Sequence, residues 1–571
     1  MRRMNRRHFL CGTSLRAIAG ASFAASSMKA TCENSPRRRP NVVLIITDDQ
    51  GYGDLGCHGN PVLKTPHLDR LHRESVRFTQ FNVSPVCSPT RASLMTGRYN
   101  YRTGVLDTYA GRSMMDPRER TLAEMLRAAG YRTGIFGKWH LGDNYPLRPM
   151  DRGFQEALVH YGGGIAQPSD PEFYERENTY FDPVLQHNGK PLKTSGYCTD
   201  VFTDAALRFI TEEGGAPFFA YVSYNAPHTP LQVPDDAAAP YRAAGLDEKT
   251  ARVYGMIANI DHNVGRILNA LDEMDIARDT VVIFMTDNGA QDLGGGGRFN
   301  AGLRGWKTTV YEGGIRVPFF VRWPERFSGG RDVDRIAAHI DVAPTLIELC
   351  GAMSDDPPAF DGISLMPLLR DGGTTKQWSD RTLFFQWHRG DAPEAFRNSA
   401  VRTQCWKLVN GAEFYDMAAD PAETKDVAEE HPETVRQLRD AYEAWFADVS
   451  ATRGYAPVRI HLGSEHENPL TLTRQDWRGA ENWMADKPGH WEVHVERAGN
   501  YDAVITFAPA KTQGVVHLQF GGAEGHAPVA PGAASARIPG LRPAPGDTRL
   551  ECWVEQNAER AGVRFVTVTR S

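Results

Sequence analysis

Cys87 stands in the stretch Ser84-Pro-Val-Cys-Ser-Pro-Thr-Arg-Ala-Ser-Leu-Met-Thr-Gly97, where several neighbours bear on its reactivity. Pro85 and Pro89 bracket it, fixing the backbone locally and removing two amide donors. Thr90 to Met95 reads as a helix start, which puts the thiol near the positive end of a helix dipole, where a nucleophile or an anion is favoured. Arg91 follows Cys87 by four positions, one helical turn, so both side chains share a face. Together they make an oxyanion site, although a lone cysteine at this spacing is about as often an inert piece of core.

Other chemistry-bearing residues sit just past apolar runs. Asn41 to Thr47 is continuously apolar and β-branched, and it ends in Asp48 and Asp49. Two carboxylates side by side repel unless a cation lies between them. Thr280 to Met285 and Thr286 repeat the pattern and end in Asp287 and Asn288; Phe218 to Tyr224 repeats it again and leads to His228 between prolines. Lys138 and His140 follow a short run after Gly130, where a strand would deliver both to one side because side chains alternate. Lys307 lies beyond a glycine-rich loop, Gly294 to Gly297. Asp48, Asp49, Asp287 and Asn288 offer only oxygen donors, a set that selects Ca²⁺ or Mg²⁺ over Zn²⁺.

Positioning these residues takes a particular architecture. Runs buried on both faces belong to parallel sheets, and alternation with helices implies an α/β fold whose ligands lie beyond the carboxyl ends of its strands. One such helix is signalled by the capping box Thr121-Leu-Ala-Glu124, and a longer amphipathic one by Ile257, Ile260, Val264, Ile267, Leu268 and Leu271.

The stretch around Cys87, read as Cys87-Ser-Pro89-Thr-Arg91, closely resembles the signature of the formylglycine-dependent (type I, arylsulfatase-like) sulfatases of the alkaline phosphatase superfamily. The block Gly130 to Gly142 resembles their second signature, and the resemblance continues through Asp341-Val-Ala-Pro-Thr-Leu346, Glu413-Phe-Tyr-Asp416 and Asp420-Pro-Ala-Glu423, covering about residues 40 to 450. It implies a mostly parallel alkaline-phosphatase-like sheet flanked by helices (40–370) and a small C-terminal α+β subdomain with an antiparallel sheet (371–450). It also implies that Cys87 is oxidised by a formylglycine-generating enzyme to Cα-formylglycine, whose hydrate attacks sulfur, and that Ca²⁺ is held by Asp48, Asp49, residue 87, Asp287 and Asn288. The implied catalytic set is Cys87, Arg91, Lys138, His140, His228 and Lys307. Within it, His228 and Lys307 protonate the leaving alcohol and His140 assists sulfate release. The alternatives are a phosphonate or phosphate ester hydrolase on the same fold, and a catalytically dead carbohydrate-binding relative.

The rest of the chain sets the context. At 571 residues it exceeds one ordinary core, and a net charge of -6 gives no footprint for nucleic acid. Arg6-Arg7-His-Phe9-Leu10 and the mild apolar run to Met28 read as a twin-arginine signal peptide over residues 1–30, implying the twin-arginine export machinery and a periplasmic or extracellular destination. No later stretch is long and apolar enough to span a membrane. Six cysteines beyond the leader (57, 87, 198, 350, 405 and 552) show no zinc pattern or dense disulfide framework, leaving room for one bridge. Past Gly454, alternating strands such as Trp491 to Val495 separated by Gly, Pro and Asn suggest an all-β sandwich over 455–571. Its Trp477, Trp483 and Trp491 are read as core more than as a carbohydrate platform, and Gln386-Trp-His-Arg389 either lines the cleft or is an aromatic cluster. Export and an appended β domain favour a sulfated saccharide over a small aryl sulfate ester.

Overall fold

The computed structural model describes residues 39–571 except 168–169, 171–178, 213, 295–296, 371–377 and 480–486. The twin-arginine leader and Trp483 lie outside the described residues. Strands β1 (Asn41–Thr47), β2 (Arg132–Lys138), β3 (Phe218–Ser223) and β4 (Thr280–Thr286) form the centre of a ten-stranded sheet in the order β4-β1-β3-β2, every pairing parallel. Ile46 lies opposite Ser223 and Thr47 opposite Thr286, so Asp48, Asp287 and the loop to His228 all leave at one edge. The sheet's outer strands mix directions. Glu156–His160 extends the parallel run past β2, whereas Phe319–Arg322 runs antiparallel to β4.

The β1 sequence is apolar throughout because both faces are covered. Val42, Leu44 and Ile46 enter one core, and Val43 and Ile45 enter the other. Each fully buried aliphatic side chain contributes about 1.5–3 kcal/mol relative to exposure. Helix α1 (Cys87–Thr96) and α2 (Leu122–Ala128) lie on the first face, and α3 (Glu248–Glu273) packs Met256, Ile260, Val264, Ile267, Leu268 and Leu271 onto the second. The capping box expected before α2 is present: Glu124 N donates to Thr121 Oγ1 at 3.1 Å and Thr121 N to Glu124 Oε2 at 2.7 Å.

Four antiparallel strands, Leu383–Gln386, Ser399–Arg402, Trp406–Val409 and Glu413–Asp416, pack against helix α4 (Pro432–Ala451). A fully buried Lys407 bonds this sheet to its neighbour, reaching Glu312 at 3.0 Å and Glu423 at 2.8 Å. Beyond it, two β sheets face each other across one core that runs from Leu470 and Ile505 to Val516 and Leu550. Trp477 and Trp491 lie inside that core, fully buried with ring centroids 4.4 Å apart, so neither presents a surface to a sugar. Met114 and Leu147, from the α/β part of the chain, are built into the same core. The cysteines from Cys57 onward are all unpaired, and among the described residues no helix is long and apolar enough to cross a membrane.

Candidate active site

Helix α1 begins at Cys87 itself, with Val86 as its extended N-cap, three residues earlier than Thr90. Pro89 fits because the first turn of a helix has no amide partner to lose. From this helix the Arg91 guanidinium, fully buried, donates through Nε and Nη2 to Asp287 Oδ2 at 3.0 and 2.7 Å. Its Nη1 reaches Ser223 Oγ at 2.6 Å and the Lys138 carbonyl at 3.3 Å. One side chain thereby ties α1 to the ends of β2, β3 and β4. Lys138, the last residue of β2, sits at 2.6 Å from Asp48 Oδ2, and Lys307 at 2.6 Å from Asp49 Oδ1. Three carboxylates thus face three fixed cations, and their charges cancel.

His140 arrives by a different route from the one expected. The strand stops at Lys138, and His140 occupies a left-handed turn at φ 63°, so a backbone reversal and not strand alternation aims its ring. Its Nε2 lies 2.6 Å from the Thr108 carbonyl. A carbonyl only accepts, so Nε2 carries the proton and Nδ1, buried without a partner, keeps the lone pair. In His228, Nδ1 donates to the Thr229 carbonyl at 2.7 Å, leaving the Nε2 lone pair 3.8 Å from Asp49 Oδ2. Burial, first of all, lowers both imidazoles below their ordinary value, in His140 with Lys138 adding to it. Burial likewise raises the Cys87 thiol, against the pull of Lys138 and Lys307, so the group is held as SH. For Asp48 burial works upward, but Lys138, then His228, Arg91 and Lys307 outweigh it and keep the carboxylate well below its usual range. Lys307 is desolvated yet driven up by Asp49, and stays an ammonium.

The oxygen donors fit a hard cation. Asp48 Oδ1, Asp49 Oδ2 and Asn288 Oδ1 are each buried with no hydrogen-bond partner, an arrangement costly for carbonyl and carboxylate oxygens unless a ligand completes them. Asn288 turns its Nδ2 to Asp49 Oδ1 at 2.8 Å, which presents its Oδ1 with the others. Ligand atoms of Asp48, Cys87 and Asp287 lie within 4.8 Å of one another, as do those of Asp48, Asp49 and His228. The loop is braced from behind. Arg298, next to the glycine-rich stretch, pairs with Asp54 at 2.6 Å and donates to the Asp49 carbonyl at 2.7 Å, a support that sequence spacing alone did not reveal.

Above this floor opens a cavity of about 340 Å³. Cys87, His140, His228 and Lys307 line it, whereas Arg91, Lys138 and the carboxylates lie beneath. Trp387 and Arg389 also line it, while Gln386 of the same stretch turns away and donates to the Glu394 carbonyl at 2.6 Å. Gln475 was not anticipated at all. It belongs to the β-sandwich segment, yet its Nε2 donates to the Thr108 carbonyl at 2.8 Å and to Ser113 Oγ at 3.0 Å, while its Oε1 accepts from Gly163 N at 3.3 Å. No local pattern marks a residue whose side-chain partners are all some three hundred positions or more away in the chain.

Comparison with known proteins accords with this arrangement. The family described as Sulfatase matches residues 40–352, and that described as N-sulphoglucosamine sulphohydrolase, C-terminal, matches 302–445. Residues 455–571 lie outside both spans. The N-acetylgalactosamine-6-sulfatase of Canis lupus familiaris is 32% identical over 410 residues, covering 67% of this chain and 74% of that one. The steryl-sulfatase of Mus musculus is 29% identical over 523 residues, covering 71% and 81%. Among solved structures, Ps i-CgsB in complex with k-i-k-neocarrahexaose superposes with a TM-score of 0.65 at 29% identity, over 72% of this chain and 93% of that one. The fold is thus alkaline-phosphatase-like, and the chain belongs to the sulfatase family, a sulfuric ester hydrolase.

Proposed function

We propose that this enzyme is exported and removes sulfate from saccharides, using Cα-formylglycine made from Cys87 together with Ca²⁺. The observation that carries the proposal is the cavity itself. It is lined by residue 87, Lys307 and His228 and also by Tyr109, Trp387, Arg389 and Gln475, which suit a polyol, and the same site holds three partnerless oxygens. The N-acetylgalactosamine-6-sulfatase similarity and the superposition on a complex with k-i-k-neocarrahexaose support the substrate class. The paired arginines Arg6 and Arg7 support export.

The chemistry supplied by the two groups is a hydrated aldehyde's hydroxyl as nucleophile, at a cation that polarises the sulfate ester. Around it the chain's own residues act in three ways. Arg91 and Lys138, both buried, pair with Asp287 and Asp48 and fix the orientation of those carboxylates, which is preorganisation. Lys307 Nζ, kept charged by Asp49, faces the cavity as the proton donor to a sulfuryl or leaving oxygen, and His228, which also lines the cavity, would give a proton to the alcohol from Nε2 only after taking one up there. His140, with its lone pair on Nδ1, is placed to accept a proton near residue 87. A protonated, buried thiol is a poor nucleophile, and this favours Cys87 as a precursor.

The test is to purify the full chain after co-expression with a formylglycine-generating enzyme and to assay a panel of sulfated saccharides. The Cys87 peptide is measured by mass spectrometry in parallel. Conversion at Cys87, turnover on at least one saccharide, and loss of turnover in a folded Cys87→Ala variant are expected. Full activity with the cysteine unmodified would refute the mechanism.

A further inference from the structure

At the cavity mouth, three guanidiniums share two carboxylates. Arg112 Nε reaches Asp391 Oδ1 at 2.9 Å and its Nη1 reaches Asp107 Oδ2 at 3.6 Å. Arg478, from the β-sandwich segment, reaches the same Asp391 oxygen at 2.7 Å and the Gly111 carbonyl at 2.9 Å. Arg389 Nη1 donates to Asp107 Oδ2 at 3.5 Å. The count leaves the cluster one positive charge in excess, and exposure decides which guanidinium a ligand can reach. The side chains of Arg112 and Arg478 are 19% and 13% exposed, whereas that of Arg389 is 52% exposed. Asp107 is shared and does not neutralise Arg389 alone. Its Oδ1 accepts from the Thr108 amide at 2.8 Å and the Trp387 indole N–H at 3.1 Å, and its Oδ2 faces both Arg389 at 3.5 Å and Arg112 at 3.6 Å.

The exposed guanidinium is also held in place. Its carbon lies 4.7 Å from the centre of the Tyr109 ring and 5.5 Å from that of Trp387, so two aromatic faces set its plane while its outer N–H edge stays open. Arg389, Tyr109 and Trp387 line the cavity that holds Cys87, His228 and Lys307. A planar fork with one donor on a shared carboxylate and the rest exposed, oriented in advance, recognises a carboxylate or sulfate.

We infer that Arg389, oriented by Tyr109 and Trp387, is a subsite for a second oxyanion of the substrate, either another sulfate on the same sugar or the carboxylate of an adjoining uronic acid. The inference rests on the sulfated-saccharide reading above. It makes the enzyme selective for saccharides with a second anionic group over those whose only anion is the sulfate to be removed.

The experiment compares kcat/KM within two pairs. One is D-glucosamine 6-O-sulfate against D-glucosamine 2-N,6-O-disulfate; the other is N-acetylgalactosamine 6-sulfate alone against the same sugar linked to glucuronate. The wild-type enzyme is expected to favour the second member of one pair by about tenfold, the size of one charge-assisted hydrogen bond at a wetted rim, and the pair that responds identifies the oxyanion. Arg389→Ala should bring that ratio close to one. Arg389→Lys, which keeps the charge but not the fork, should fall between, and Arg389→Gln, which keeps the stem over Tyr109, should behave like Ala. No preference in either pair, or a preference that survives Arg389→Ala and Arg389→Gln, overturns the subsite. Turnover of 4-nitrophenyl sulfate with none of the four sugars hydrolysed overturns the saccharide reading, and the subsite with it.

Discussion

Replacing Gln475 by Ala tests whether the β-sandwich is part of the catalytic unit. The substitution removes two donated bonds and one accepted bond at the cavity wall, leaving Gly163 N–H without its acceptor and the Thr108 carbonyl and Ser113 hydroxyl without the Gln475 amide. A buried donor left unsatisfied costs about 1–3 kcal/mol. The Thr108 carbonyl that loses Gln475 is the one that holds His140 Nε2. If about 2 kcal/mol of that restraint is expressed at the reacting centre, kcat/KM falls roughly 30-fold. The assay is steady-state hydrolysis of 4-nitrophenyl sulfate, with melting temperature measured alongside. The loss should lie mainly in kcat, with melting lowered by only a few degrees, because the sandwich core does not depend on Gln475. A kcat/KM within twofold of wild type, or a loss that tracks the unfolded fraction, would refute the reasoning.

Four further outcomes follow from the same geometry. Trp477→Ala, which empties a fully buried site beside Trp491, should destabilise the protein by about 3–5 kcal/mol in denaturant titration. Lys407→Met strands Glu312 and Glu423 without their shared cation and should cost about 3–5 kcal/mol by the same measure. Asp143 is fully buried at the seam with Thr473, and burial pushes its carboxyl up to about 7. Since the folded value lies above the unfolded one, the neutral form is the stable one. Its contribution is whole below about 4 and fades as pH rises towards 7. Asp143→Asn should therefore match wild-type melting near pH 4 and exceed it near pH 8. Chelation followed by Ca²⁺ should raise the melting temperature by mass action, and Asn288→Ala, which deletes one of the partnerless oxygens, should weaken that rise.

Much of the floor of the site was legible because it depends on local rules. An apolar β-branched run that stops at Asp48-Asp49, Asp287-Asn288 or the approach to His228 announces both a buried strand and the edge it points to, and parallel pairing makes those edges coincide. The start of α1 was misplaced because two prolines look like breakers, although Pro89 falls in a first turn that needs no amide. The partners of Arg91 could not be read either. Its one-turn spacing from Cys87 is a property of the helix, whereas Asp287, Ser223 and the Lys138 carbonyl are brought to it by three separate strands. The left-handed turn at His140 has no signature in a residue that is not glycine. Least legible was the rim, because Gln475 and Arg478 come from a segment whose own strands and core are complete without them.

Cys87 is only 2% exposed once the molecule is assembled, and one wall of its cavity is supplied by Gln475, which lies in the last fifth of the chain. Synthesis runs from the other end. For the interval between the emergence of α1 and that of the final hundred residues, the cleft lacks its far wall, and anything that must reach the sulfur from outside has an opening that the finished protein does not offer. The order of residues along the chain therefore also sets a timetable, in which the sandwich closes the pocket last.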